Sequence, residues 1–440
     1  MGYCRRVEIP SLSYPPLSYP LERATLDNGL RVVLSPDCSA PVVAVAVYYD
    51  VGMRSEPEGR TGFAHLFEHL MFQGSASLEK LAHFRYVQSS GGTFNGSTSF
   101  DYTNYYELLP SNALERALFL EADRMRAPRI TPENLANQIA VVKEEIRINV
   151  MNRPYGAFPW ISLPSVMFNT FPNAHNGYGD FVDLSSATVE EAQAFFERYY
   201  APGNAVLCVG GDLDVAETLA LIERHFADIP TRTVPERPSF GEPDLDGERR
   251  SQQVDQHAPT PAAALAWRVP DPVADLGEYL PYVALAEVLT DGDASRLRRR
   301  LVQGDRLVTS LSGYVSFMRQ PLSMRDPTAL VLEAFHPGPI EPVLRAIEEE
   351  LDRLATDGLD PGELARTQAR MAAQWFGHVE SVLRRTLAMA AAEQQRGRAE
   401  LAGELPSLLA DVTEEQVVAA AATLRPDRRA MLEIVPGGHA

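Results

Sequence analysis

The stretch His65-Leu66-Phe67-Glu68-His69 carries the strongest structural signal in the sequence. Two histidines four positions apart on a helix lie on the same face, where one metal ion can bind both imidazoles. At about 100° per residue, Glu68 falls roughly 60° to one side of His65, so its carboxylate can lie beside the ion without binding it. The stretch therefore predicts a helix that carries a metal site.

The alternative is an amphipathic helix whose histidines bind nothing. With nine His in 440 residues, an H-x-x-E-H pattern arises by chance with a probability on the order of 1%. The flanking segments Gly62-Phe63-Ala64 and Leu70-Met71-Phe72 are apolar, and polar groups on so apolar a helix need partners. A metal ion would satisfy all three polar side chains, so we favour the metal site.

Length and composition limit the class of protein. A chain of 440 residues exceeds what one hydrophobic core usually serves, which predicts two domains. A net charge of −19 argues against nucleic acid or an anionic membrane as the partner. The three cysteines, Cys4, Cys38 and Cys208, are scattered, so neither a disulfide framework nor a thiolate zinc site is indicated.

Residues 1–23 are interpreted as an extended N-terminal arm. The segment contains four prolines and no apolar run long enough for the core of a signal peptide. No run in the chain approaches the roughly 18 apolar residues of a membrane span. These features predict a cytoplasmic protein with no membrane contact.

The pattern of strands and helices predicts an α+β protein built from two tandem homologous α/β-sandwich-like domains, at 24–228 and 251–440, joined by a Pro- and charge-rich linker at 229–250. In the first domain we predict a short strand at 24–26 before the Asn28-Gly29 turn, then strands at 30–34, 42–49, two within 93–109, and 205–210. The predicted helices are at 77–87, 112–125, 132–151, 189–199 and 215–226 in addition to the motif helix, with a loop at 152–179. In the second we predict strands at 262–269, 308–317, 329–335 and 430–435, with helices at 279–289, 340–356, 361–396 and 414–424.

The motif itself indicates the duplication. When residues 65–70 are aligned with residues 284–289, the second copy keeps an acidic residue, Glu287, and has no histidine. We therefore expect only the first domain to bind metal.

A zinc site with two histidines needs one more protein ligand, and a catalytic site leaves the fourth position open. The predicted helix at 132–151 offers two adjacent acids, Glu144 and Glu145. Spacing alone does not choose between them, and both could be surface acids with no ligand role.

The sequence resembles the pitrilysin and mitochondrial-processing-peptidase family of inverzincins. Four segments carry the resemblance, and it extends over nearly all of the chain after the first twenty residues: H-x-x-E-H at 65–69, VVKEEI at 141–146, LDNGLRVVL at 26–34 and YYAPGNAVL at 199–207. The resemblance implies that this chain folds as half of a clamshell.

The resemblance also implies a function and a ligand set. Glu145 lies 76 positions beyond His69, which matches the family spacing, so His65, His69 and Glu145 are expected to bind one Zn²⁺ per chain. Glu68 is expected to be the catalytic general base. The implied activity is that of a zinc metalloendopeptidase acting on unfolded peptides or peptide precursors in an enclosed chamber.

Substrate in this family adds to a sheet as an extra strand. The matching edge strand here covers residues 92–98, and its expected substrate-binding residues are Phe94, Asn95, Gly96 and Ser97. The alternative is that this strand only pairs within its own sheet.

The sequence departs from the family at three positions. A family glutamate seven residues before the zinc-ligating one is replaced by Gln138, and an Arg and a Tyr after the Ser-Arg-Leu turn are replaced by Val302 and Thr309. Because the Arg/Tyr pair holds substrate in relatives, its absence predicts a heterodimer with a zinc-less homologous subunit that supplies it, in preference to a homodimer. The alternative is a non-catalytic structural or peptide-binding subunit of the same fold.

Overall fold

The computed structural model describes residues 16–438. Its eleven strands within that range form two sheets. The strands are β1 Glu22–Thr25, β2 Arg31–Pro36, β3 Val42–Tyr49, β4 Thr93–Thr98, β5 Thr103–Pro110, β6 Ala205–Gly211, β7 Arg249–Asp255, β8 Ala262–Arg268, β9 Ser310–Val315, β10 Ala329–Phe335 and β11 Arg429–Pro436.

The helices lie between and over these strands. They are α1 Phe63–Leu70, α2 Ala82–Ser89, α3 Leu114–Arg126, α4 Pro132–Ile146, α5 Ser162–Met167, α6 Phe171–Ala174, α7 Phe181–Ser186, α8 Val189–Tyr199, α9 Val215–Phe226, α10 Leu276–Thr290, α11 Ile340–Asp357, α12 Glu363–Val379, α13 Val382–Arg396, α14 Leu401–Ala410 and α15 Glu414–Thr423. Short π-helical segments follow α4 and α10 at Arg147–Met151 and Arg298–Gly304.

Apart from β1, which has no counterpart in the second sheet, the two sheets share one topology, which confirms the predicted duplicated α+β fold. The first has the order β1-β2-β6-β3-β5-β4 and the second β7-β11-β8-β10-β9. In each sheet the last strand of the unit pairs in parallel with one neighbour and antiparallel with the other. In the first unit α1 packs on β4 and α4, and in the second α10 packs on β9 and α12.

Local sequence explains most of these elements. Strand β3 is a run of Val, Ala and Tyr that is buried over almost its whole length, as expected for the centre of a covered sheet. Helix α4 begins at Pro132 after Thr131, whose side chain accepts a hydrogen bond from the Asn134 backbone. Helix α8 begins with a capping box between Thr188 and Glu191.

The helices that cover each sheet come partly from the other half of the chain. Helix α13 packs on β3 and β6 of the first sheet, and α5 packs on β11, β7 and β8 of the second. The prediction of one helix at 361–396 is wrong, because the helix is interrupted at Ser381, which has extended backbone angles. This break separates α12, which packs on α10, from α13, which crosses to the first sheet.

Other boundaries also differ from the predictions. The predicted loop at 152–179 contains α5 and α6, and β7 and α14 were not predicted. Helix α2 begins at Ala82 rather than at 77, because Leu81 takes a left-handed conformation with φ 66°. The sequence patterns of these segments are too short or too polar to show a clear period.

The N-terminal arm predicted at 1–23 lies mostly outside the described residues. Within the described part, the backbone N–H of Leu17 donates to the carbonyl oxygen of Gly403 at 3.1 Å, and β1 begins at Glu22. Between Phe226, the end of α9, and Arg249, the start of β7, the chain forms no helix or strand. Across residues 16–438, every helix is too short or too polar to cross a membrane.

Candidate metal centre

Helix α1 is held in the first core by its apolar face. The ring of Phe67 packs against Tyr200 and Phe195 at centroid distances of 4.6 and 5.3 Å. At the helix start, Gly62 has a φ of 79°, and a Cβ there would lie 2.4 Å from the Gly179 Cα. A residue with a side chain at this position would displace the start of the helix.

A buried carboxylate completes the N-terminus of α1. Glu56 accepts the backbone N–H groups of Ala64 and Gly62 at 2.8 and 2.9 Å, and His175 Nε2 lies 2.9 Å from the same carboxylate. Gly62 has no side chain to cap the helix, so Glu56 supplies the missing acceptor. Sequence reasoning did not find Glu56 or His175, because no local pattern links positions 56, 64 and 175.

The three expected metal ligands meet in the structure. Glu145 Oε2 lies 3.3 Å from His69 Nε2, and Glu145 Oε1 lies 3.8 Å from His65 Nε2. One ligand atom from each residue lies within 4.8 Å of the others. Glu144, the other acid that spacing left open, is exposed and pairs with Arg147 at 3.0 Å.

The charge states of these groups fit a divalent cation. Burial, and secondarily the neighbouring His69, lowers the pKa of His65 to about 4, so its imidazole is neutral at pH 7. Hydrogen bonding to His69 lowers the pKa of Glu145 to about 2, which keeps this ligand ionised. Burial alone would lower the pKa of His69, but the Glu145 and Glu68 carboxylates raise it above its usual value, so a bound metal would take the place of a proton on this imidazole. Two imidazoles and one carboxylate are a common protein ligand set for a catalytic Zn²⁺.

Glu68 lies on α1 beside the three candidate ligands, and its carboxylate contacts the edge strand β4. Its Oε2 accepts a hydrogen bond from Thr98 Oγ1 at 2.7 Å, and burial raises the pKa of its carboxyl group. A Cβ at Gly96 would lie 3.2 Å from Glu68 Cγ and Oε1. Glycine at this position of β4 therefore lets the strand approach the carboxylate closely.

Strand β4, which carries the expected substrate-binding residues, lies at the edge of the first sheet. Asn95 and Ser97 point to the exposed side. Phe94 points the other way, where its ring packs against Phe84 and Phe72 at 4.7 and 5.6 Å. The unpaired edge of β4 is thus next to Glu68 and available to an added strand.

The positions that depart from the family pattern make contacts within the chain, and Gln138 also hydrogen-bonds to the candidate ligand His69. Gln138 is buried on α4 and donates to Asn137 at 2.9 Å. Val302 packs against the second core, and the Thr309 hydroxyl donates to the carbonyl oxygen of Phe335 at 3.2 Å. Neither Val302 nor Thr309 offers the cationic or phenolic group that the family has at these positions.

A second group with metal-ligand spacing is present among residues 16–438. His83, Glu107 and Glu121 are buried, with His83 Nε2 3.0 Å from Glu107 Oε1. The Arg124 guanidinium lies within this group, bonded to Glu121 through Nε at 2.9 Å and 3.4 Å from Glu107. Because Arg124 already supplies the positive charge, we interpret this group as a structural ion cluster rather than a second metal site.

In the second half of the chain, Glu287 aligns with Glu68 but lies beside Asp291 and Arg370. Burial, and then Asp291, raises the pKa of Glu287 to about 7. Arg370 on α12 donates to the Asp291 carbonyl at 2.8 Å and pairs with its carboxylate. Arg370 and Asp291 therefore form an ion pair beside Glu287.

A duplicated α+β chain whose first half carries an H-x-x-E-H helix has the architecture of an inverzincin. Two family models match it: Insulinase (Peptidase family M16) over residues 31–157, and Peptidase M16 inactive domain over residues 186–371. The chain belongs to peptidase family M16, which confirms the resemblance found in the sequence. The first match includes the candidate ligands His65, His69 and Glu145, whereas the second begins at residue 186 in the first half of the chain and extends past Asp291 to Arg370.

Individual relatives include both zinc proteases and a subunit of the cytochrome b-c1 complex. The chain is 27% identical to the zinc protease PqqE of Helicobacter pylori, over 82% of this chain and 80% of that protein. It is 28% identical to cytochrome b-c1 complex subunit 1 of Bos taurus, over 46% of this chain and 42% of that protein. Similarity to this chain therefore extends beyond proteins that are named proteases.

Solved structures share the fold over nearly the whole chain. A protease from Helicobacter pylori superposes with a TM-score of 0.85 at 24% identity, covering 95% of this chain and all of that one. The periplasmic protease PqqL from Escherichia coli superposes with a TM-score of 0.79 at 19% identity, covering 97% of this chain and 48% of that one. This chain thus corresponds in length to about half of PqqL.

Proposed function

We propose that this chain is a zinc-dependent endopeptidase subunit that hydrolyses unfolded peptides or peptide precursors in an enclosed chamber. One observation carries the proposal: His65, His69 and Glu145 converge within 4.8 Å, with Glu68 beside them. The unpaired edge of β4 runs along the same carboxylate, where Gly96 approaches Glu68. The ligand set, a candidate base and a backbone surface for an extended peptide are therefore adjacent.

Each residue has a defined role in this mechanism. A bound zinc supplies a Lewis acid that polarises the scissile carbonyl and lowers the pKa of water. Glu68 accepts a proton from the attacking water and then donates it to the leaving amine. Thr98 fixes the Glu68 carboxylate through its 2.7 Å hydrogen bond, and the backbone of β4 pairs with the peptide, which tolerates varied side chains.

Zinc content and its removal test the proposal. We expect the full chain, purified without added zinc, to contain one zinc ion, because the three ligands form one complete set. A chelator should remove both the ion and the hydrolysis of an unfolded peptide, and zinc should restore both. Lack of stoichiometric zinc, with no hydrolysis after zinc addition, would favour the alternative of a non-catalytic structural or peptide-binding subunit.

We also propose that the chain works as a heterodimer with a homologous zinc-less subunit. Val302 packs against a core and Thr309 bonds to Phe335, so this chain lacks the Arg and Tyr expected to hold substrate. The similarity to about half of PqqL supports a second unit of comparable size. A homodimer would leave both of its metal sites without an Arg/Tyr pair.

A reconstitution experiment tests the pairing. The partner to use is a chain of similar length that lacks H-x-x-E-H and carries Arg and Tyr after its Ser-Arg-Leu turn, sought in a neighbouring reading frame. We expect the mixture to hydrolyse peptide about 100-fold faster than this chain alone, because misplaced substrate costs that order of rate. Full activity of this chain alone would contradict the pairing.

The cytoplasmic location expected from the sequence stays a prediction.

A further inference from the structure

The loop at residues 175–179 packs tightly against the start of α1, the helix that carries His65 and His69. A Cβ at Gly177 would lie 2.5 Å from the Met53 side chain, and Gly179 lies against Gly62. His175 at the start of this loop contacts Glu56, the carboxylate that caps α1, at 2.9 Å. The glycines on either side of Tyr178 therefore fix the position of that residue relative to α1.

Tyr178 contacts the first zinc ligand, His65, in two ways. Its ring stacks on the imidazole with centroids 4.6 Å apart and an interplanar angle of 14°. Its carbonyl oxygen lies 3.5 Å from His65 Nδ1. A carbonyl oxygen only accepts hydrogen bonds, so this contact favours the tautomer with a proton on Nδ1 and a free lone pair on Nε2.

Tyr178 also holds the third ligand. Its hydroxyl donates to Glu145 Oε1 at 2.5 Å, the oxygen that lies nearer His65, whereas Oε2 lies 3.3 Å from His69. The Trp160 ring packs edge-on against Tyr178 with centroids 5.2 Å apart. One side chain thus restrains a ligand from α1 and a ligand from α4, two elements that are far apart in the sequence.

We propose that Tyr178 is a positioning residue that orients His65 and Glu145 for zinc binding. The inference rests on the proposed function, since it assumes that zinc is the ion at this site. A hydrogen-bond donor to a carboxylate ligand and an acceptor for the second imidazole nitrogen typically change metal affinity by 10- to 100-fold. The Tyr178 side chain supplies the hydrogen-bond donor to Glu145, and its backbone carbonyl supplies the acceptor for His65. Only the side-chain donor can be removed by substitution.

The test compares Tyr178→Phe with wild type in the full-length protein. The ring stack and the carbonyl contact remain in this variant, and only the hydroxyl is lost. We expect a zinc dissociation constant about 10-fold higher in competition with a chromophoric chelator. With Co²⁺ in place of zinc, the visible absorption spectrum should change, because Glu145 is free to rotate.

A control separates positioning from a general structural role. Tyr86→Phe removes a hydroxyl from an exposed tyrosine on α2, away from the ligands, and should leave zinc affinity unchanged. The metal-free forms of wild type and both variants should unfold at the same temperature. Equal zinc affinity in Tyr178→Phe and wild type would overturn the inference alone, as would a loss of affinity matched by a loss of metal-free stability. Failure of wild type to bind zinc would overturn the proposed function and this inference together.

Discussion

Replacing Glu68 with Gln is expected to abolish peptide hydrolysis while zinc stays bound. A glutamine has nearly the shape of glutamate but accepts no proton, and losing a general base costs about 10²- to 10⁴-fold in rate. Glu68 is not among the three converging ligands, His65, His69 and Glu145, so the variant should keep its zinc. It should also keep its peptide affinity, because the edge of β4 is unchanged.

The measurement needs three readouts on the same preparations: the rate of peptide hydrolysis, zinc content and the dissociation constant for an unfolded peptide. Glu144→Gln is the matched control, because Glu144 is an exposed acid on α4 whose partner is Arg147. This control should retain wild-type rates. Unchanged proteolysis in Glu68→Gln would remove Glu68 from the mechanism. Loss of zinc in that variant would show that Glu68 contributes to zinc binding rather than acting as the base alone.

Sequence alone was enough to predict the parts of the structure that depend on regular local patterns. The spacing of His65 and His69 needs only one helix, and α1 places both on one face as predicted. The helices at 189–199 and 215–226 match their predicted bounds, since each has a capping residue before a clear apolar period. The choice of Glu145 over Glu144 needed the family resemblance, because both lie on the same helix.

The residues that sequence reasoning missed all act through contacts between distant segments. Tyr178 reaches Glu145, and Glu56 contacts His175. His83, Glu107 and Arg124 come together only because α2, β5 and α3 pack on one another. No periodicity or spacing rule links such positions, so they become visible only in the folded structure.

The two halves keep one fold but hold charge in different ways. The first half leaves two imidazoles and a carboxylate converging without a positive side chain among them. The second half places Arg370 against Asp291 next to Glu287, so its charges are balanced by the protein itself. This difference explains how a duplicated sheet and helix arrangement can have a candidate metal centre in only one copy.

Replacing Arg54 with Ala is expected to lower the free energy of unfolding by about 3–5 kcal/mol, the typical cost of leaving a buried charge without its partner. Arg54 and Asp101 are completely buried and pair at 3.3 Å. The same guanidinium donates to the carbonyl oxygens of Arg325 and Asp326, each at 3.3 Å, and to that of Pro327. Arg54 therefore joins the first half of the chain to a loop of the second half.

Denaturant unfolding of the full chain measures this effect, with Arg60→Ala as the control. Arg60 is six positions away and pairs with Glu191 at the surface, so its loss should cost about 0–1 kcal/mol. Combining Arg54→Met with Asp101→Asn should destabilise less than the sum of the two single changes, because no buried charge is then left unpaired. Because Arg54 is two residues before Glu56, which caps α1, zinc affinity should fall in Arg54→Ala as well. Equal stability of the Arg54→Ala and Arg60→Ala variants would show that this buried pair does not hold the two halves together.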